Sequence, residues 1–180
     1  MALRKASAYS KFEAKPFTRI SKKKGKSYIK TVPHNKIVKF HHGAQKHFKE
    51  NKHNYTVTMI SEEKVLIRDC AIEAARQAIT KVMDDKMLGQ FYLAVKVFPH
   101  HFLRENKTAG GAGADRVSTG MTQSYGIVIG RAAIVGAGKS IFFVSCATDK
   151  GARIARDALE MIKAKVPCRT RIVFEKISKK

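Results

Sequence analysis

Phe91-Tyr92-Leu93-Ala94-Val95-Lys96-Val97-Phe98 is the stretch that sets the fold class. Phe91, Leu93, Val95 and Val97 alternate with Tyr92, Ala94, Lys96 and Phe98, the period-two pattern of a strand. Both faces are apolar apart from Lys96, so the reading is a central strand covered on both sides. Pro99, without an N–H to donate, ends it. Upstream, Tyr55 to Ile60 alternates in the same way, with Tyr55, Val57 and Met59 on one face. Ser61 is then placed to cap a helix, with Glu62 and Glu63 in its first turn. That helix is predicted to run to about Met83. Its stripe reads Ala71, Ala74, Ala75, Ala78 and Val82, with Ile72 and Ile79 beside it, and Gly89 marks the turn that follows.

Downstream of Pro99 the pattern gives a long loop, about His100 to Gln123, rich in Gly, Ala and charge. Loops of this length in compact domains are functional or disordered. Arg131 to Val135 and Ile141 to Cys146 read as two strands around the turn Gly136-Ala137-Gly138-Lys139, a hairpin with a basic tip. A second helix is predicted over about Lys150 to Lys165, with Ile154, Ala158, Met161, Ile162 and Lys165 on its buried stripe, and Pro167 stops it. Thr170 to Lys176 is a last strand. Two helices alternating irregularly with strands indicate an α+β domain, helices packed on one face of a sheet.

The charge is uneven. The 180 residues carry 36 Lys or Arg against 14 Asp or Glu, a formal net charge of +22. A chain so basic repels itself unless a polyanion neutralises it, and nucleic acid carries a phosphate on every nucleotide. Residues 1–53 hold fifteen of the cations, two of the acids (Glu13 and Glu50) and five of the seven histidines. Their clearest apolar run is Ile37-Val38-Lys39-Phe40, a short strand candidate. The chain therefore divides into a basic, extended N-terminal arm over 1–53, ordering on a polyanion, and a globular α+β domain over 54–180. Hydrophobic residues, 44% of the chain, suffice for a core.

An anionic membrane is the rival polyanion. It needs a basic amphipathic helix or a lipid anchor, and the sequence shows neither. No apolar run approaches the roughly 18 residues of a span, and Met1 to Phe17 lacks the apolar stretch of a secretory signal. A cytoplasmic protein is expected. Cys70, Cys146 and Cys168 are odd in number, far apart and without CxxC spacing, so reduced, mostly buried thiols are expected.

Several motifs approach known chemistry and miss. Ala133-Ile-Val-Gly-Ala-Gly138-Lys139-Ser140 is near a phosphate-binding P-loop, but Ala133 replaces the first glycine. Ile-Phe-Phe-Val then continues as a strand where a helix N-terminus must receive phosphate. The bland alternative is the hairpin turn, whose Lys139 reaches an RNA phosphate. Gly110-Gly111-Ala112-Gly113-Ala114-Asp115-Arg116 has the wrong spacing for a dinucleotide loop and follows a loop instead of a strand. Glycines flanked by Arg104, Lys107 and Arg116 do suit close backbone approach and phosphate gripping. His41, His42, His47 and His53 lack companion Cys or acidic ligands in a Lys-rich segment, so no metal is expected. No Ser or Cys has the setting of a nucleophile. An enzyme reading would be a nucleotide hydrolase built on Lys139 and Ser140, and a further rival is a free RNA chaperone. The preferred reading is non-catalytic, without cofactor or small-molecule substrate. Lys22-Lys23-Lys24-Gly25-Lys26, with Phe12, Phe17 and Tyr28 interleaved, suits an arm that alternates phosphate contacts with base stacking, and Lys5 extends it.

Phe98-Pro-His-His-Phe-Leu-Arg-Glu-Asn-Lys107, continued by Gly111-Ala-Gly-Ala-Asp-Arg-Val117 and Gly120-Met121, resembles one family closely. It is similar to the archaeal and eukaryotic L ten e family of large-subunit ribosomal proteins, counterpart of the bacterial L sixteen proteins. Pro16-Phe-Thr-Arg19, Lys36-Ile37, Phe40 with Gly43, Glu73-Ala-Ala-Arg76, Gly130-Arg-Ala-Ala133 and Pro167-Cys-Arg169 support it across the chain. The resemblance implies a hammerhead-type α+β fold, two helices on a mixed sheet. It also implies a role in binding large-subunit rRNA beside neighbouring ribosomal proteins. Arg4, Arg19 and Arg131 would be rRNA contacts. Arg104, Asn106, Lys107, Gly111, Gly113, Asp115 and Arg116 would form a loop facing tRNA and the peptidyl transferase region. The end of the chain soon after the last strand is closer to the archaeal branch.

Overall fold

The computed structural model describes residues 5–106 and 126–177. Within them the chain forms β1 (His41–Gly43), α1 (Gln45–Lys49), β2 (Tyr55–Ser61), β3 (Val65–Arg68), α2 (Asp69–Met87) and β4 (Phe91–Val95). There follow β5 (His101–Glu105), β6 (Ile127–Val135), β7 (Ser140–Cys146), α3 (Asp149–Met161) and β8 (Thr170–Lys176). A five-stranded sheet has the order β1-β4-β7-β2-β8 and a three-stranded sheet the order β3-β6-β5. Every pairing in them is antiparallel, which corrects the mixed sheet expected above. The reason lies in the connections. α2 joins β3 to β4, in different sheets, and α3 joins β7 to β8, which β2 separates, so neither helix links parallel neighbours.

β4 is internal, flanked by β1 and β7, and all five of its residues are buried. α2 and α3 pack on each other, and their apolar sides close over the large sheet in one core cluster with Val57, Met59, Phe91, Leu93, Phe142 and Val144. The buried stripe of α2 is Ile72, Ala75, Ile79, Met83 and Met87, spaced by three or four, while Ala74 is exposed. The expected alanine stripe is thus rotated: the larger side chains take the core. α3 is rotated too. Ala152, Ala155, Ala158, Leu159 and Ile162 are buried, Met161 is 50% exposed, and Lys165 faces solvent. Thr148 caps α3 by accepting from the Gly151 N–H at 3.2 Å.

Four local readings change. α2 does not start at Ser61, whose hydroxyl instead donates to the Glu63 carbonyl at 2.7 Å in a turn. Val65, Leu66 and Ile67, all buried, pair with Val135, Ile134 and Ala133 as β3, and the helix begins only after Arg68. Second, the stretch expected to open a long loop at His100 forms β5, because His101 to Glu105 finds β6 as a partner. Third, β6 and β7 do not form a hairpin. The turn between them carries the chain from one sheet to the other, and it is tied to the end of β2 by Gly138 N–H to the Ser61 carbonyl (2.7 Å) and Ser61 N–H to the Lys139 carbonyl (3.0 Å).

Fourth, Ile37 to Phe40 is not a strand. It is a strap lying along α2, whose carboxylates accept its N–H groups: Lys36 N–H to Asp69 at 3.2 Å and Val38 N–H to Glu73 at 3.3 Å. Strand pairing starts just after it, at β1, where Gly43 is obligatory. Its φ is +86°, and a Cβ there would lie 2.2 Å from the Phe91 carbonyl oxygen.

Candidate nucleic-acid interface

The residues before the strap lie against the three-stranded sheet through a few bonds. Leu66 N–H donates to the Ser10 carbonyl at 3.2 Å and Phe102 N–H to the Phe17 carbonyl at 3.0 Å. Phe17 N–H donates in turn to Nδ1 of the buried His101 at 2.9 Å. An Nδ1 that accepts carries no proton, so the bond selects the neutral Nε2–H tautomer. Burial pushes this imidazole below its ordinary pKa, and nearby Arg104 adds to that, while Glu13 opposes it.

On this scaffold the arginines are held by aromatic rings. The Arg104 guanidinium carbon sits 3.7 Å from the Phe17 ring centre. Phe17 meets Tyr28 edge-on at 6.4 Å, and Arg19 lies 4.4 Å over Tyr28. The four side chains form one continuous stack at the junction of β5 with the N-terminal segment. Arg68 lies over Tyr9 at 5.5 Å, Lys64 over Phe12 at 6.0 Å, and Arg131 over Phe102 at 5.2 Å. A ring face orients a guanidinium without itself using the N–H donors. Nη1 of Arg104 is buried and has no hydrogen-bond partner among the described residues.

The expected contact residues are distributed as follows. Arg19 is exposed in the stack, and its φ of +28° makes the sharp bend whose carbonyl accepts the Tyr28 and Ile29 N–H groups. Lys5, Lys22, Lys23 and Lys26 are exposed, the last ending a 3-10 turn that Lys24 opens. Arg104 and Asn106 stand at the end of β5, Asn106 exposed. Arg131 is partly committed, since its Nε donates to the Pro33 carbonyl at 2.8 Å and so fixes the start of the strap. Lys139 is exposed but stands apart from the stack. Val128 pairs with Arg104, and Val135, near the opposite end, is seven residues away, roughly 23 Å at the rise of a strand. Arg4, Lys107, Gly111, Gly113, Asp115 and Arg116 lie outside the described residues. Sequence reading missed Lys64, Arg68 and His101. The available signal was the spacing of Tyr9, Phe12, Phe17 and Tyr28, rings that the structure gives cationic partners within the chain.

The remaining motifs resolve into structure. Ser140 opens β7, so the near-P-loop has no helix N-terminus behind it. The histidines have protein partners instead of a shared centre: His41 meets the Tyr92 hydroxyl at 2.7 Å, His42 pairs with Asp84 at 3.2 Å, and buried His53 meets Ser145 at 2.8 Å. No cluster able to hold a metal occurs among the described residues. No disulfide links the thiols; Cys146 is buried, which pushes its pKa up to about 12, and Cys70 and Cys168 are half-buried.

Fold and surface together define a class: a basic α+β protein that presents stacked arginines and assembles no catalytic constellation among its described residues. Comparison with known proteins makes the class specific. The family model described as "Ribosomal protein L16p/L10e" matches residues 15–173. The chain is 37% identical to "Large ribosomal subunit protein uL16" of Staphylothermus marinus, over 97% of this chain and 95% of that one. It is 38% identical to the protein of that name from Thermofilum pendens, over 97% and 98%, and 36% identical to that of Methanococcus maripaludis, over 98% and 96%. The chain belongs to the ribosomal protein L16p/L10e family, and it is a ribosomal protein, not an enzyme.

Proposed function

We propose that this chain is a structural constituent of the large ribosomal subunit in the cytoplasm, where it binds large-subunit rRNA next to neighbouring ribosomal proteins. The observation that carries the reading is near-full-length similarity to proteins named for that subunit. The net charge of +22 and the arginine stacks supply a physical means. In this reading residues 1–53 act as the basic arm on RNA, using Arg4, Lys5, Arg19 and the Lys22, Lys23, Lys24 and Lys26 run. Residues 54–180 form the globular body, of hammerhead type, that adds Arg131 and Lys139. The glycine-rich segment that follows β5, together with the end of that strand, presents Arg104, Asn106, Lys107, Gly111, Gly113, Asp115 and Arg116 toward tRNA and the peptidyl transferase region. Its work is positioning: bare glycine backbone allows close approach and the flanking cations hold phosphate.

Sedimentation of cell extract after a high-salt wash tests the first part. The protein is expected in the large-subunit peak at a stoichiometry near one, and recovery in the soluble fractions would overturn the assignment. The loop is tested by replacing Arg104 and Arg116 with Ala. The double variant should still enter subunits while tRNA-dependent translation falls. Unchanged translation would remove the loop from the mechanism.

A further inference from the structure

Four strands stand at sheet edges among the described residues, and three of them are blunted within the chain. β3 is tied to the Ser10 carbonyl by the Leu66 N–H and β5 to the Phe17 carbonyl by the Phe102 N–H, while β1 is only three residues long. β8 is different. It pairs with β2 over seven residues in unbroken register, and Ile172-Val173-Phe174 at its centre carries no charge. The Ile177 N–H donates to the Asn54 carbonyl at 2.8 Å and the Glu62 N–H to the Arg169 carbonyl at 3.0 Å, so the odd-numbered residues bond toward β2. The N–H and C=O groups of Thr170, Ile172, Phe174 and Lys176 point the other way, where no strand lies among the described residues. We propose that β8 docks antiparallel on β8 of a second copy of this chain, centred on Val173, and joins two five-stranded sheets into one in the RNA-free protein.

The strand is complementary to itself, as a two-fold interface requires. Centring on Val173 sets Ile172 against Phe174 and Thr170 against Lys176, each twice. These are the residues whose backbone groups point outward, so each such pair exchanges two hydrogen bonds. Ile172 and Phe174 lie on the side of the sheet where their β2 partners, Met59 and Val57, enter the core. Phe174 is 48% exposed there, with one ring face on Tyr55 at 5.8 Å, and pairing covers its outer side with apolar surface. On the other side of the sheet the same register sets Arg171 against Glu175, again twice, and both are exposed. Opposite charges directly across an antiparallel pair stabilise it. A phosphate backbone is a poorer occupant, because its oxygens only accept and the outward carbonyls would lack donors. The net charge of +22 on each copy opposes the approach, and at 0.1 M salt that repulsion is screened beyond about 10 Å. The pair belongs to the chain free of RNA and is independent of the rRNA reading.

The test is sedimentation equilibrium of the full chain, stripped of RNA, over a concentration series at moderate salt. A reversible monomer–dimer equilibrium is expected. Arg171→Glu or Glu175→Arg alone should weaken it by about tenfold, since two cross-strand pairs turn repulsive at once. The double variant Arg171→Glu/Glu175→Arg exchanges the charges and should restore the wild-type dissociation constant. A second measurement needs no variant. In the wild-type chain, amide exchange at Ile172 and Phe174 should slow as concentration rises, while exchange at Val173, which already bonds β2, stays constant. A chain that remains monomeric at roughly millimolar concentration overturns the proposal. So does a dimer indifferent to both single variants, or one that the double variant fails to restore, because its contact then lies elsewhere than β8 in this register. Exchange at Ile172 and Phe174 that does not respond to concentration overturns it as well.

Discussion

At the residue scale, two ionisable groups control how the N-terminal half is fastened. His101 accepts the Phe17 N–H only while Nδ1 is unprotonated, and burial holds its pKa below the ordinary value near 6.5. A histidine depressed in the fold stabilises it fully above the unfolded pKa, and that contribution is lost as pH falls through the folded pKa. Acidifying from pH 7.5 to 5 should therefore accelerate amide exchange at Phe17 beyond its intrinsic rate change. In His101→Gln the extra acceleration should disappear. An identical pH profile in both proteins would remove His101 as the latch. Glu73 is the second group. It takes two bonds from Arg76, at 2.8 and 2.6 Å, one from Gln77 at 3.1 Å and one from the Val38 N–H. The pair is nearly buried, with side chains 9% and 10% exposed. Arg76, foremost, lowers the Glu73 pKa, so this stabilisation is complete above the ordinary carboxylate range and is lost as pH falls below it. Glu73→Ala leaves a cation nearly buried and frees the strap, at a cost of about 3 kcal/mol in urea unfolding at neutral pH. A loss under ~1 kcal/mol would show that solvent already screens the pair.

At the scale of elements, what was legible had its cause inside its own sequence. β4 and β2 alternate, so their existence, and the inner position of β4, follow from local pattern. β8 and the span of α3 were legible for the same reason. The errors fall where the cause is a distant partner. Val65-Leu66-Ile67 shows no alternation and precedes helical residues, and only β6, about seventy residues later, makes it a strand. β5 is hidden in a charged stretch after Pro99 and is likewise made by β6. The strap is held by carboxylates of α2, which no strand or helix period encodes. The arginine stack was half legible. Its rings and cations could be named, but which ring meets which cation depends on how the N-terminal segment lies on β5. The join of strap to sheet can be probed at Gly43. Gly43→Ala must give up the positive φ or push against the Phe91 carbonyl. Because β1 has only three residues on β4, the substitution should cost about 2 kcal/mol or more and release β1 first. Amide exchange should rise at His42 and Ala44 before it rises in β7; a uniform rise would mean that β1 has no separate stability.

For the whole molecule, the division of labour between charge and fold can be measured. Thirty-six cations against fourteen acids give attraction to any polyanion, and that attraction must weaken with salt as counterions stop being released. Charge alone does not select an RNA; the fold can, by fixing where guanidinium groups sit. Phe17 separates the two effects. Its side chain carries no charge, yet its ring holds Arg104 at 3.7 Å and meets the ring beneath Arg19. If the stacked Arg104 holds a phosphate of large-subunit rRNA, replacing it with Ala should weaken binding to that RNA. The log–log slope of affinity against salt should also become shallower by about 0.7 to 0.9. Phe17→Ala keeps every charge, so the slope should stay as in the wild type. Affinity should still fall by roughly fivefold, the equivalent of about 1 kcal/mol for a lost cation–π contact. Selectivity for large-subunit rRNA over bulk RNA should fall with it. A Phe17→Ala slope that matches Arg104→Ala would mean that the stack is needed to bring the charge to phosphate at all. Unchanged affinity and selectivity would mean that the arm reads RNA by charge, with the rings serving only to pack the arm on the sheet.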